Sequence, residues 1–298
     1  MPTNSPLHGA AYDLIYNLMA DPLSSSKEIG RPHLFVIRMK MQDIAAVTFD
    51  LWQTLILDTR ENGMTRSKVR LSGTRDILES VDLDYSTSEL QKAYDKCSIH
   101  CREIREHQED ISFVQQVDIF IGFIDSNLRD QLTDQAVKQI RETYCNAFFS
   151  HPPLPHPNSV EVLEAIQNMD LKLGMISNTG MTPGYAFREF LRQHNMLNYF
   201  DTLTFSDEVS VSKPSKKIFD STLHELNVSP QEAVHIGDHP VTDVNGAKSA
   251  GLHTIWIEGF YEPDELDIPG FKADINVKDL KDVPSAITQL RTPSQRAS

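Results

Sequence analysis

Four stretches of this chain set a reactive or charged side chain after an apolar run, three of them directly and one past a loop. Asp50 closes IAAVTF (residues 44–49), and Ser177, Asn178 and Thr179 follow LKLGMI. Lys213 stands before Pro214, and Gly237-Asp238 ends AVHI with Asp243 five residues further on. The set has a chemical logic. A carboxylate can attack phosphorus or an activated carbon and form an ester that water later opens. Mg²⁺ prefers oxygen ligands, often one or two carboxylates plus a phosphate oxygen, and Asp50 with Asp238 supplies such a pair. A lysine offsets the charge gathered between nucleophile and phosphate, while a serine hydroxyl and nearby backbone amides can hold the non-bridging oxygens. Lys216 and Lys217 compete for the lysine role, but the Lys-Pro pairing and the spacing favour Lys213.

These side chains need a frame. IAAVTF is short and continuously apolar, the pattern of a strand buried on both faces. Between Thr65 and Phe149 the spacing predicts four helices, near 64–80, 87–107, 111–128 and 133–149, with Ser86 and Thr133 as N-caps. HPPLPHPN (151–158) then breaks the chain with a run of prolines, and it pairs with Asp58–Gly63 as a hinge. Beyond it helices and strands alternate: strands at 172–176, 201–205, 233–236, 253–257 and 273–277, with helices at 159–169, 184–195, 215–226 and 241–250. That rhythm predicts an α/β fold, a Rossmann-like parallel sheet with helices on both faces and an all-α domain inserted after the first strand. The division is 43–59 with 152–292 as the core, 60–151 as the helical insertion, 1–42 as an extension of no assigned role, and 293–298 as a disordered tail. HLFVIRMKM, inside the extension, could form an extra strand. In an open parallel sheet, ligands bind beyond the carboxyl ends of the strands, where all of the reactive side chains fall.

The succession FDLWQTL, ISNTG, SKPSKKIFD and IGDHPVTDVNGAKSAGL resembles the four motifs of the haloacid dehalogenase superfamily, over about residues 44 to 290. The resemblance implies a helical cap of the first class inserted after the first motif. It implies that Asp50 is the nucleophile, that the backbone carbonyl of Trp52 and Asp238 bind Mg²⁺ with Asp50, and that Ser177 and Asn178 contact the transferred group. Lys213 would balance charge, and Asp243 would orient the site from behind the metal ligands. The substrate implied is a small phosphorylated molecule.

Trp52 departs from that pattern. Phosphatases of the superfamily usually carry a second aspartate there, which protonates the leaving alcohol and later deprotonates the attacking water, a contribution of about 10²–10⁴ in rate. An indole N–H donates a hydrogen bond but does not titrate usefully. Three readings follow: a phosphatase whose leaving group needs little acid help, such as an acyl phosphate; a 2-haloacid dehalogenase, which releases a halide; or a weak, regulatory member that binds Mg²⁺ and an anion. The dehalogenases use no metal, and the intact Gly237-Asp238 with Asp243 favours the first.

Composition narrows the partners. Forty-two acidic against 28 basic residues give a net charge of −14, which disfavours nucleic acid and anionic membranes. No run reaches the ~18 apolar residues of a membrane span. Cys97, Cys101 and Cys145 read as reduced thiols of a cytoplasmic protein, since a zinc site from Cys97, His100 and Cys101 lacks a second ligand pair. His235 reads as packing and His239 as an exposed loop residue. Arg60, Arg66, Arg70 and Arg75 could meet a substrate anion, although exposed helix surface is the commoner place for arginine.

Overall fold

The computed structural model describes residues 44–260 and 272–291; the readings of 1–42 and of 293–298 lie outside them. In chain order the chain forms β1 (Ala46–Phe49), β2 (Ile56–Leu57), α1 (Arg60–Glu79), α2 (Thr87–Glu106), α3 (Phe113–Ile124), the short α4 (Leu128–Gln131), α5 (Asp134–Ser150) and β3 (Leu154–Pro155). There follow α6 (Ser159–Gln167), β4 (Lys172–Ser177), α7 (Gly184–Gln193), β5 (Thr202–Phe205), α8 (Ser206–Val209), α9 (Lys216–Leu226) and β6 (Ala233–Gly237). A π-helical turn (Pro240–Asn245) leads into α10 (Gly246–Ala250), and β7 (His253–Ile257), β8 (Ile275–Val277) and α11 (Val283–Arg291) are the last of the described elements.

The six long strands form one parallel sheet in the order β5-β4-β1-β6-β7-β8. From β1 the chain builds outward through β4 and β5, then crosses back to β6 on the other side. The crevice beyond the carboxyl ends of β1, β4 and β6 is therefore the switch point where such sheets bind ligands. The alternation of β1 shows the layering. Val47 and Phe49 join one apolar cluster with α6, α7 and α11, while Ala46 joins the cluster of α9 and α10 on the opposite face.

Five helices lie between β2 and β3, which pair antiparallel and hold the two ends of the insertion together. Ser86 and Ser112 close full capping boxes, and Thr133 caps α5 through Ala136 N. α1 and α5 approach closely at Gly73, where an added Cβ would lie 2.5 Å from the Thr143 methyl. The apolar core of these helices is continuous with that of the sheet: Phe120, Tyr144 and Phe148 belong to the same cluster as Phe49, Phe187 and Phe205.

Three boundaries differ from the sequence pattern. The run expected as one helix over 111–128 ends at Ile124, because Asp125 turns extended (φ −152°, ψ 134°) and its carboxylate accepts from Asn127 N. α1 starts at Arg60, capped by Thr59, so most of the expected hinge at 58–63 is helical. The helix expected over 241–250 opens with a π turn behind Pro240.

Candidate active site

The carboxyl ends of β1, β4 and β6 bring the singled-out side chains together. Lys213 Nζ donates to Asp50 Oδ1 at 2.5 Å and to Asp243 Oδ1 at 2.6 Å, and all three groups are buried. Asp238 joins them, so that carboxylate oxygens of Asp50, Asp238 and Asp243 lie within 4.8 Å of one another. Local backbone fixes each. Asp50 N donates to Ile236 O across to β6. The Trp256 indole N–H donates to Asp238 O at 2.7 Å. Asp243 Oδ2 accepts from His239 N at 2.9 Å, in the turn that the His239 side chain caps through Val241 N and Thr242 N. Gly237 is required here, since a Cβ would sit 2.5 Å from the Asp243 carboxyl carbon.

The electrostatics divide the carboxylates. Burial pushes Asp50 up to about 7; Lys213 offsets part of that and Asp243 adds to it. Burial, then the charge of Asp50, push Asp238 up to about 8. Burial acts the same way on Asp243, but Lys213 and His235 outweigh it and hold the group well below the usual carboxylate range. Lys213 feels a burial penalty too, yet Asp243 and Asp50 keep it charged and raise it. Three carboxylates against one ammonium leave the pocket two charges negative when ionised. Such a cluster of oxygen donors fits a divalent cation, which would remove the repulsion that raises Asp50 and Asp238.

Ser177 Oγ is fully buried and has no hydrogen-bond partner among the described residues, which leaves it for a ligand. Asn178 has a structural role besides the expected substrate contact, since it also lines a cavity with Trp52. Its side chain accepts from Lys213 N at 2.8 Å and donates to Lys213 O at 3.0 Å, so most of it goes to locking the backbone of Lys213 against β4. Trp52 packs edge-on against Phe187 (centroids 5.4 Å apart) and Phe148 (6.4 Å), and it forms an apolar wall between loop and helices.

The readings of His239, Arg66 and Arg70 are corrected, and that of His235 holds with an addition. His239 is half-buried and caps the π turn instead of lying in an exposed loop. His235 packs against Phe219, but it also bonds Thr48 Oγ1 (2.9 Å) and approaches Asp243 (3.5 Å). Arg66 and Arg70 are buried, not on the helix surface, whereas Arg60 and Arg75 are exposed and Arg75 pairs with Glu79. The signal for the arginines was present: Arg66, Arg70, Thr74 and Leu78 form the buried stripe of α1 at a spacing of four, with polar residues where core would be expected. Asp110 carried no sequence signal. It is buried in the turn between α2 and α3 and accepts from Ser206 Oγ at 2.6 Å, and Ser206 in turn accepts from Thr179 N.

With this geometry in place, comparison with known proteins is informative. Residues 89–257 match the family model described as haloacid dehalogenase-like hydrolase. The chain is 28% identical over 241 residues to a glyceraldehyde 3-phosphate phosphatase of Methanopyrus kandleri, covering 78% of this chain and 93% of that protein. It is 30% identical over 128 residues to a phosphoserine phosphatase of Thermus thermophilus, covering 43% of this chain and 49% of that one. In fold it is similar to a 2-haloacid dehalogenase from Pseudomonas syringae (TM-score 0.59, 22% identity, 83% of this chain and 99% of that one). It is likewise similar to a HAD phosphatase from Thermococcus onnurineus (TM-score 0.53, 24% identity, 83% and 99%).

Proposed function

The chain belongs to the haloacid dehalogenase-like hydrolases, and on that footing we propose that it is a Mg²⁺-dependent phosphatase of small phosphorylated molecules, working through an aspartyl-phosphate at Asp50. The observation that carries the reading is the buried cluster of Asp50, Asp238 and Asp243 around Lys213. The relatives named as glyceraldehyde 3-phosphate phosphatase and phosphoserine phosphatase support a phosphate ester rather than a haloacid as the substrate class. Asp50, Asp238 and the Trp52 carbonyl would hold the Mg²⁺, which when bound would neutralise charge on the phosphoryl oxygens.

An Asp50 oxygen attacks phosphorus, the bond from phosphorus to the leaving group breaks, and the leaving group departs with its electron pair. Lys213, already shared between Asp50 and Asp243, offsets the negative charge between nucleophile and phosphoryl group. The free Ser177 hydroxyl donates to a non-bridging oxygen. Water then attacks phosphorus, its protons leave with orthophosphate, and the Asp50 carboxylate returns. Trp52 supplies no proton, so the reaction favours leaving groups that need none, acyl phosphates foremost. The helices between 60 and 151 act as the cap, which excludes water from the site.

One observation favours a second reading: Trp52 gives an apolar wall near the nucleophile, as a 2-haloacid would want. Parallel hydrolysis of acetyl phosphate and p-nitrophenyl phosphate, each with Mg²⁺ and with EDTA, separates the two. The phosphatase reading expects Mg²⁺-dependent turnover that favours acetyl phosphate and vanishes in Asp50→Asn. No turnover of either, with halide released from a 2-haloacid in the presence of EDTA, would move the assignment to a dehalogenase.

A further inference from the structure

We infer that Arg70 is the specificity residue of this site and that it selects substrates carrying a carboxylate at the end remote from the phosphoryl group. The inference rests on the phosphatase reading for the reaction, but its structural basis is separate.

A cavity of about 310 Å³ lies between α1, α2 and the loop after β4. Trp52, two residues after Asp50, and Asn178, which follows Ser177, line it together with Arg66, Arg70 and Tyr94. The two arginines differ in one decisive way. Arg66 forms an ion pair with Asp58, which lines the same cavity, and its charge is thereby cancelled. Arg70 is 4% exposed, and its hydrogen-bond partners among the described residues are neutral: Tyr144 O at 3.1 Å, Thr182 Oγ1 at 3.1 Å and Tyr94 OH at 3.3 Å, with its guanidinium over the Tyr144 ring. No carboxylate of the described residues pairs with it.

A buried cation without an opposite charge is costly, and arginine is almost never buried unpaired. Three of the five guanidinium N–H groups are used, which leaves one on each of Nη1 and Nη2. Two such donors on one planar group suit a carboxylate held by both of its oxygens. The lining therefore carries one net positive charge, desolvated, in a protein whose total is −14. A substrate that brings its own second anion supplies the missing partner, and a neutral substrate of the same length leaves the charge unpaired.

The test needs no turnover. Calorimetry with Mg²⁺ present compares 3-phosphonopropionate and propylphosphonate, which share a chain length and a phosphonate and differ in a terminal carboxylate or methyl. The wild-type protein is expected to bind the carboxylate compound about 10- to 100-fold tighter. In Arg70→Met that ratio is expected to fall to about one, and in Arg70→Lys, which keeps a charge but loses the fork, to an intermediate value. A wild-type ratio near one overturns the proposal, as does a ratio that survives in Arg70→Met. If Arg70→Met does not fold, Arg70→Lys decides: an undiminished ratio overturns the proposal and a reduced one supports it. Acetyl phosphate hydrolysis, run in parallel, keeps the two claims apart. Lost turnover with an intact ratio sinks the phosphatase reading alone, and turnover with a ratio near one sinks the Arg70 assignment alone.

Discussion

Ser177 ends β4 with a buried hydroxyl that bonds to nothing among the described residues, while its neighbour Asn178 is spent on the Lys213 backbone. The two residues look alike in the sequence motif and do different work. Removing the Ser177 hydroxyl breaks no intramolecular bond, so Ser177→Ala should leave stability within about 0.5 kcal/mol of wild type in urea unfolding. Its kcat/KM on acetyl phosphate should fall about 100-fold, the scale for losing one donor to a transition-state oxygen. Equal loss of stability and activity would mean that Ser177 is a packing residue. Asp50 and Asp238 were legible in the sequence because each directly follows a recognisable strand and strand ends converge in a parallel sheet, whereas Lys213 and Asp243 were picked out by the Lys-Pro pairing and by spacing. Arg70 was legible only as a candidate. Which face of α1 turns inward depends on α5 and α2, and that packing is not written in the spacing of α1 itself.

At the scale of elements, the helical insertion is tied to the sheet by more than its two connectors. Asp110, in the turn after α2, accepts from Ser206 Oγ at the end of β5 and is reached by Arg105 at 3.3 Å. Ser212, the residue before Lys213, donates to Gln108 O through its amide. The turn over 107–111 thus bears on two segments of the site, the one that positions Thr179 and the one that carries Lys213. Asp110→Ala leaves Ser206 and Arg105 without their acceptor and should cost about 2–3 kcal/mol. Hydrogen exchange should quicken over 107–111 and 206–213 while the outer strands β7 and β8 stay protected. Unchanged exchange in those two segments would show that the turn does not hold the insertion in place. This tie was invisible in the sequence, because it joins residues 96 positions apart through one serine and one aspartate of ordinary loops. The strand order was more accessible: a long helical insertion after β1 and regular alternation afterwards left few arrangements for a parallel sheet. The break at Asp125 was missed because the apolar stripe of α3 continues in register to Leu128.

Over the whole molecule, the proposed reaction would gather still more negative charge in a strongly acidic chain. A net −14 repels anions at long range, and Lys213, the Arg70 guanidinium and the divalent cation that the carboxylates would hold offer local attraction. The apolar core runs without interruption from the sheet into the helical insertion through Phe148, Phe187 and the edge of Trp52. In the proposed mechanism that core would shield the site from water and make the desolvated charges count. Among the described residues no helix is long and apolar enough to cross a membrane. The central claim is that Asp50 itself carries the phosphoryl group. Acid-quenched turnover of acetyl phosphate, followed by mass spectrometry of the peptide that contains Asp50, tests this most directly. The account predicts a phosphoryl group on Asp50 with Mg²⁺ and none with EDTA. Steady turnover with Asp50 unmodified, or with the phosphoryl group on another residue, would contradict it.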